Sequence, residues 1–229
     1  VVAVEQTRNR SMSAPAEPPI QIVVIPVTPL QQNCSVVFDR KTKVGAVVDP
    51  GGDVEAIRGA IAQYGVKVEK IVLTHGHVDH VGGAADLAAA LGVPVEGPHE
   101  DDRQLIAMVS ELGARFGLAD AKPVEPDRWL KEGDTVDMAG RTFEVFHCPG
   151  HAPGHLVYFD RELRFAISGD VLFAGGVGRT GDLPFSDHDT LIRSIREKLL
   201  PLGDDVAFLP GHGPGSTFGH ERETNPFLK

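Results

Sequence analysis

The chain has 229 residues, with 22 lysines and arginines against 32 aspartates and glutamates, and 41% of its residues are hydrophobic. This length is sufficient for a substantial core, and so ordinary a composition excludes a disordered or fibrous protein. The net charge of −10 argues against nucleic acid and anionic membranes as partners, because an acidic surface repels phosphate groups. No apolar run approaches the roughly 18 residues of a membrane span.

Residues 1–19 differ from the rest of the chain. They combine charged side chains with a Ser-Ala-Pro stretch and show no apolar periodicity, which predicts a flexible N-terminal extension before one domain covering 20–229. A secretory signal needs an apolar core segment, and this stretch has none, so a cytoplasmic location is expected. The two cysteines, Cys34 and Cys148, are too few for a disulfide-built scaffold.

Strands and helices interleave along the remaining chain, which predicts an α/β domain. Short β-branched runs between turn residues predict strands. In chain order these are 20–27, 34–38, 44–48, 71–73, 141–146, 156–159, 164–167 and 206–209. Apolar residues at helical spacing predict helices. These are 53–64, with Asp53 as its capping residue, 83–91, a segment from about 101 to 116, and one around 191–199. The acidic residues 100–102 are expected to form a solvated first helical turn.

Histidine or aspartate follows four of these strands, usually beside glycine. The four segments are THGHVDH at 74–80, HCPGH at 147–151, SGD at 168–170 and PGH at 210–212. Ligand sites in sheet proteins favour the edge where such strand ends meet. Imidazoles and carboxylates brought together there predict a metal site, since burying them without a cation is costly. A solvated loop that merely contains several histidines is the less favoured interpretation.

The spacing within the first segment refines this prediction. In an extended chain, residues two apart point to one side, so His75 and His77 can bind one ion, and Gly76 lets the backbone approach it. Asp79 and His80 are adjacent and are expected to point apart, so at least one of them faces elsewhere, toward a second ion.

From about Ile20 onward, the chain resembles the metallo-β-lactamase superfamily and, within it, the glyoxalase II-like thioester hydrolases. Four motifs carry the resemblance: THGHVDH (74–80), HCPGHAPGH (147–155), SGD (168–170) and PGHGP (210–214). The resemblance implies a four-layer αββα sandwich with a two-metal cleft along one edge. It also implies a ligand set: His75, His77 and His151 for the first divalent ion, Asp79, His80 and His212 for the second, and Asp170 bridging both. Zinc is the expected metal, and iron and manganese also accept such donors.

The implied chemistry needs no serine or cysteine nucleophile. Two adjacent metal ions can share one water and lower its pKa toward about 7. The resulting hydroxide is expected to attack a small-molecule thioester such as S-lactoylglutathione, with Asp79 and Asp170 as catalytic residues. A thiol with a pKa near about 8.5 leaves as thiolate without a dedicated general acid.

Residues around the ligands have two interpretations each. Asp49 either accepts a hydrogen bond from a ligand imidazole or is a simple turn aspartate. His155 is expected to form structural hydrogen bonds rather than to bind metal. Arg179 and Thr180, in the segment GVGRT, are the predicted substrate-binding residues. Arg179 matches the basic position that contacts glutathione in the family, and a guanidinium can grip a carboxylate with two hydrogen bonds. Its alternative is a surface ion pair.

Two departures from the longer glyoxalase II enzymes favour the short, single-domain branch with a more open cleft. The chain ends soon after His212 without their C-terminal helical domain, and GRTGDLP lacks their tyrosine.

A persulfide dioxygenase with one iron ion, a lactonase and a non-enzymatic metal-binding protein are the alternatives. Oxygen uptake with glutathione persulfide would identify the dioxygenase, and hydrolysis in a lactone panel would identify the lactonase. The absence of any turnover would identify the non-enzymatic protein. A β-lactamase is disfavoured, because many such enzymes have cysteine or serine at the position of Asp170. The sequence predicts no oligomeric state.

Overall fold

The structure is a computed structural model that describes residues 18–229. The predicted extension at 1–19 lies outside these residues except for Pro18 and Pro19, whose carbonyl oxygens accept hydrogen bonds from Arg40. The flexible extension and the domain boundary at residue 20 therefore stay predictions.

Two sheets form the centre of the fold. The first has the order β1-β2-β3-β4-β5 and the second β13-β12-β9-β8-β7-β6, while β10 and β11 form a separate hairpin. The pairs β3–β4, β4–β5 and β9–β12 are parallel, and the others are antiparallel. The strands are β1 (Ile20–Val27), β2 (Gln32–Asp39), β3 (Val44–Val48), β4 (Lys67–Val72), β5 (Val95–Glu96), β6 (Thr135–Met138), β7 (Arg141–His147), β8 (Leu156–Asp160), β9 (Phe165–Gly169), β10 (Leu172–Phe173), β11 (Gly176–Val177), β12 (Ala207–Pro210) and β13 (Ser216–Thr217).

Helices cover the outer face of each sheet. They are α1 (Val54–Tyr64), α2 (Val78–Val81), α3 (Ala84–Leu91), α4 (Arg103–Ala107), α5 (Val109–Phe116), α6 (His188–Ser194) and α7 (Phe218–Thr224). A 3₁₀ turn at Glu100–Asp102 precedes α4, and a π-helical turn at Ile195–Leu199 and a 3₁₀ turn at Leu200–Leu202 extend α6. No helix in the described part of the chain is long and apolar enough to cross a membrane.

Alternating side chains build the layers, because successive residues of a strand face opposite sides of the sheet. In β2, Phe38 belongs to the core under the helices of the first sheet, and its neighbour Val37 belongs to the core between the sheets. In β8, Tyr158 faces the inter-sheet core, and Phe159 faces the core that holds Leu191 of α6. The predicted four-layer αββα sandwich is thereby confirmed.

Three local expectations are wrong. Asp53 precedes α1 but does not cap it with its side chain: it adopts a left-handed conformation at φ 48°, and its carboxylate accepts a hydrogen bond from the Thr28 N–H instead. The predicted helix over 101–116 is interrupted at Met108, whose N–H is shared between the carbonyl oxygens of Gln104 and Leu105. Asp79 and His80 do not point apart as adjacent residues of an extended chain would, since both belong to the single helical turn α2 and Asp79 Oδ2 lies 3.9 Å from His80 Nε2.

Two hydrogen bonds join the sheets next to the predicted site. The Leu156 N–H donates to the Thr74 carbonyl oxygen at 2.8 Å, and the Tyr158 hydroxyl donates to the Leu73 carbonyl oxygen at 2.5 Å. These bonds fix the end of β4 in the first sheet against β8 in the second. The segments that follow strands of both sheets therefore meet at one edge of the sandwich.

Candidate metal centre

The structure brings all seven predicted ligands together at this edge. Four of them come from the segment after β4, of which two precede α2 and two lie within it. The other three come from the second sheet: one from the loop between β7 and β8, one directly after β9, and one shortly after β12. They are His75, His77, Asp79, His80, His151, Asp170 and His212.

Three imidazoles converge in the first group. His75 Nε2 lies 3.0 Å from His77 Nδ1, which lies 2.9 Å from His151 Nε2, and all three residues are buried. Burial lowers the pKa of His75 well below its usual value and that of His77 to about 3, so these rings are neutral at neutral pH. Neutral imidazoles so close together turn lone pairs toward a common point, which is the arrangement that a cation stabilises.

The outer ring nitrogens of two of these residues are held by protein groups. His151 Nδ1 donates to the Arg179 carbonyl oxygen at 2.8 Å. His75 Nδ1 lies 3.0 Å from the Thr74 hydroxyl, which in turn donates to Asp49 at 2.6 Å. Each contact fixes the tautomer that leaves Nε2 free to accept, as is typical of metal-binding histidines.

Asp79, His80 and His212 form the second group. Asp79 Oδ2 lies 3.2 Å from His212 Nε2 and 3.9 Å from His80 Nε2. His80 Nδ1 donates to Asp49 Oδ2 at 2.9 Å, which directs Nε2 into the group. Burial by itself lowers the pKa of His80, but the carboxylates of Asp170, Asp79 and Asp49 outweigh it and raise this pKa well above its ordinary value.

The Asp170 carboxylate lies between the two groups. Its Oδ1 is 3.3 Å from His80 Nε2, and its Oδ2 is 3.5 Å from His151 Nε2 and 3.6 Å from His212 Nε2. Burial acts to raise the pKa of Asp170, but the imidazoles of His80, His151 and His212 hold it far below its usual range. The carboxylate is therefore ionised and faces both groups at once.

The residues fit a pair of divalent cations. The buried atoms His80 Nε2 and Asp170 Oδ1 face each other at 3.3 Å without hydrogen-bond geometry, and no other group among the described residues hydrogen bonds with either. Buried polar atoms of this kind are costly unless a ligand satisfies them. Mixed imidazole and carboxylate donors suit zinc, iron and manganese. The two groups, each able to hold an ion, are His75 with His77 and His151, and Asp79 with His80 and His212.

Asp49 and His155 support the site as hydrogen-bonding residues. Asp49 is buried and accepts hydrogen bonds from Thr74 and His80. Of the two interpretations of this residue, the structure agrees with the one in which it orients a predicted ligand imidazole. His155 Nε2 accepts from the Asp170 N–H at 2.9 Å, and its ring stacks on that of His75 with centroids 4.4 Å apart. These contacts agree with a structural rather than a ligating histidine.

A cleft of about 410 Å³ opens beside the two groups. Apolar side chains such as Leu30 and Phe116 line it together with five of the predicted ligands and the charged side chains of Arg115, Arg179 and Asp182. The Arg179 guanidinium is largely exposed and forms an ion pair with Asp182. Thr180 is not among the described residues that line the cleft, and its hydroxyl oxygen lies 3.3 Å from His188 Nδ1. The substrate-binding function of Arg179 and Thr180 stays a prediction.

Sequence reasoning missed Asp102. The solvated turn expected at residues 100–102 is wrong for this residue, which is fully buried and accepts hydrogen bonds from the backbone of two ligand-bearing loops. A helical signal exists in the sequence, because Asp102 precedes the buried residues Leu105, Ile106 and Val109 by three, four and seven positions. That spacing places it on the buried face.

A sandwich of two sheets with histidines and aspartates at one edge defines the class of the protein as a metallohydrolase. Residues 27–212 match the Metallo-beta-lactamase superfamily, and the chain belongs to it. Hydroxyacylglutathione hydrolase GloC of Haemophilus influenzae is 45% identical over 210 residues, which are 91% of this chain and 98% of the relative. The predicted metal-dependent hydrolase is confirmed at this level.

Two solved structures agree with this membership. The crystal structure of TTHA1623 in a di-iron-bound form shares 40% identity at a TM-score of 0.81 and covers 90% of this chain and 100% of its own. The crystal structure of BLEG-1 B3 metallo-beta-lactamase shares 34% identity at a TM-score of 0.82, and the match covers 91% of this chain and 99% of that one. The assignment of the seven residues as metal ligands is not tested by these similarities and stays a prediction.

Proposed function

We propose that this protein is a dinuclear-metal hydrolase that cleaves a small-molecule thioester derived from glutathione, such as S-lactoylglutathione. The position of Asp170 is the observation that carries the proposal. Its two carboxylate oxygens lie 3.3–3.6 Å from nitrogens of both histidine groups, as a ligand shared by two ions requires. The similarity to GloC supports the substrate, and the di-iron form of TTHA1623 supports two ions.

In this proposal seven side chains hold two ions, with zinc as the metal. His75, His77 and His151 hold one, Asp79, His80 and His212 hold the other, and Asp170 contacts both. When bound, such a pair of ions supplies Lewis acidity and an ionised water at neutral pH.

The protein groups prepare the site for this chemistry. Asp49 and the Arg179 carbonyl oxygen hold the outer nitrogens of His80 and His151, so their inner nitrogens stay available to accept. The carboxylates of Asp79 and Asp170 offset the positive charge of the ions. Asp79 also faces the cleft, where its free oxygen can accept a hydrogen bond from the attacking water and orient it.

Arg179 is proposed to hold a carboxylate of the glutathione moiety, with Thr180 next to it. The guanidinium lies at the rim of the cleft, and its present partner is Asp182. Because this pair is exposed, it is weak, and a substrate carboxylate can replace Asp182 as the acceptor.

A cytoplasmic location is also part of the proposal, supported by two cysteines that are buried as free thiols. The acidic surface supports small molecules rather than nucleic acid or membranes as partners.

Metal analysis combined with a thioesterase assay tests the proposal. Purified wild-type protein is expected to hold two ions per chain and to hydrolyse S-lactoylglutathione. Asp170→Ala should lose an ion and lower kcat by about 100-fold or more, because it removes the shared carboxylate. Asp39→Ala, at the end of β2, where the carboxylate accepts only from the backbone of the following turn, is the control. Full activity with a single ion per chain, and with His80 and His212 replaceable, would refute the proposal. Glutathione persulfide with oxygen, a lactone and a β-lactam should be assayed in parallel as substrates of the alternative functions.

A further inference from the structure

Asp102 is a fully buried carboxylate that lies outside the predicted ligand set. It ends the 3₁₀ turn at Glu100–Asp102, where its own N–H donates to the His99 carbonyl oxygen at 3.0 Å. Its Oδ2 accepts from the Gly76 N–H at 2.7 Å, and its Oδ1 accepts from the Gly154 N–H at 2.5 Å. One side chain thus holds two separate backbone segments.

These two segments carry the first histidine group. Gly76 stands between His75 and His77 after β4 of the first sheet, and Gly154 closes the loop that begins at His151 in the second sheet. Asp102 therefore connects the two loops that carry the first histidine group. Neither of its two carboxylate oxygens accepts a hydrogen bond from the segment 79–80 or from residue 212.

Both glycines lie so close to the Asp102 side chain that a Cβ at either position would force a shift. A Cβ at Gly76 would lie 3.1 Å from the Asp102 Cβ, and one at Gly154 would lie 2.7 Å from the Asp102 Cγ. The absence of a side chain at these positions lets each backbone N–H reach a carboxylate oxygen directly.

A carboxylate suits this position although its burial is unfavourable. Burial raises the pKa of Asp102 to about 7, and the N–H groups of Gly154 and Gly76 act in the opposite direction. Two diverging N–H donors need two acceptor oxygens on one rigid plane, which aspartate provides. Asparagine would offer one oxygen and turn its NH₂ group against the second donor, leaving a buried N–H without a partner.

We propose that Asp102 is a positioning residue that fixes the loops of His75–His77 and His151–His155 against each other before a metal ion binds. It sets the separations of 3.0 and 2.9 Å among the three ring nitrogens, so that the first group is formed in advance. The inference rests on the proposed function, since it assumes that His75, His77 and His151 bind an ion.

Asp102→Asn, made in two backgrounds that each retain one group, tests the inference. His212→Ala disables the second group, and His151→Ala disables the first. In the His212→Ala background, Asp102→Asn should weaken zinc binding about 10- to 100-fold in a chelator competition. In the His151→Ala background it should leave the affinity unchanged. Asp101→Asn, whose side chain is exposed, is the matched control. Equal losses in both backgrounds, or none, would overturn the inference, because a general loss of stability acts on both groups alike.

Hydrogen exchange on the wild-type, metal-free chain tests it even if the variant does not fold. The amide protons of Gly76 and Gly154 should exchange as slowly as those of β4 and β8. Exchange as fast as at the open turn residue Gly140 would contradict the inference. Failure of the proposed function would be recognised separately, since the wild-type chain would then bind fewer than two ions whatever the exchange rates.

Discussion

Asp49 links the two histidine groups through its hydrogen bonds. Its Oδ1 accepts from the Thr74 N–H at 2.7 Å, and its Oδ2 accepts from the Thr74 hydroxyl at 2.6 Å and from His80 Nδ1 at 2.9 Å. Since the Thr74 hydroxyl also contacts His75 Nδ1, one buried carboxylate orients an imidazole in each group. Charge-assisted hydrogen bonds of this kind are stronger than neutral ones, so Asp49 is hard to replace.

Asp49→Asn should lower kcat/KM by about 10- to 100-fold and weaken zinc binding, because an amide cannot accept from all three donors. Activity and metal content measured at saturating and limiting zinc would check this. Asp39→Asn, where the carboxylate accepts only from an exposed turn, should behave as the wild type. An Asp49→Asn variant with wild-type zinc affinity would show that the carboxylate only closes the turn.

Replacing Arg179 and replacing Asp182 should have opposite effects on substrate binding. Arg179→Ala removes the proposed contact with a glutathione carboxylate and should raise KM about tenfold, which corresponds to about 1.4 kcal/mol. Asp182→Asn removes the negative charge that competes for the guanidinium and should lower KM. Steady-state kinetics with S-lactoylglutathione measures both, and kcat should change little in either. Arg58→Ala, which breaks another exposed ion pair, is the control. An unchanged KM in both variants would make the pair a simple surface contact.

The sequence revealed the ligands more readily than the residues that support them. The spacing around Gly76 after an apolar strand pointed to His75 and His77, and the resemblance to a known family added His80 to the predicted ligands. Asp102 receives its hydrogen bonds from residues 26 and 52 positions away, and no local pattern shows which backbone groups will reach it.

The longer strands were predicted, and five strands of two to four residues, β5, β6, β10, β11 and β13, were missed. Runs such as 44–48 are apolar on both faces because the sheet is covered on both sides, and this signal survives in a single sequence. The helix α7 (Phe218–Thr224) was missed because it is short and polar. Its position depends on buried Glu221, which accepts from Ser216 and from Gly175 in the β10–β11 turn. Such long-range contacts override weak local propensity.

The pair of Arg141 and Asp160 joins β7 to β8 and should make the stability of this hairpin dependent on pH. Arg141 donates to Asp160 at 2.6 and 2.8 Å, and Asp160 is buried. Burial acts to raise the pKa of Asp160, but Arg141 and the backbone N–H groups of Leu163 and Glu162 lower it below its usual value. Because the native pKa is lowered, the stabilisation is complete above the unfolded-state pKa of about 3.9 and is lost as pH falls through the native value.

Asp160→Asn should therefore lower the free energy of unfolding by about 2–4 kcal/mol at pH 7. The difference from the wild type should shrink as pH falls below about 4, because Asp160 is protonated first in the unfolded chain and then, at its lower native pKa, in the folded one. Urea unfolding of both proteins at several pH values measures this. Asp137→Asn, in an exposed pair with Thr142, should show no such pH dependence. A difference that widens with falling pH would mean that the pair does not stabilise the ionised carboxylate.

At the scale of the whole molecule, the predicted ligands divide between the two sheets. Four follow β4 of the first sheet, and the other three follow β7, β9 and β12 of the second. The sequence indicates each strand end separately, but the sheet order, including the parallel pair β9–β12, emerges only from the packed fold. Ions bound by these residues would connect the sheets across the open edge, in addition to the hydrogen bonds from Leu156 and Tyr158.

Removing metal should therefore destabilise the whole molecule rather than one loop. A ligand that binds only the native state adds about 2.7 kcal/mol when its free concentration is 100 times Kd. For a protein of this size, such a change corresponds to roughly 5–10 °C in Tm. Calorimetry of the zinc-loaded protein before and after dialysis against a chelator should show that decrease, and restored zinc should reverse it. Asp170→Ala should respond less, because it binds fewer ions. If chelation left Tm unchanged while the ions were lost, the two sheets would be held at this edge by protein contacts alone.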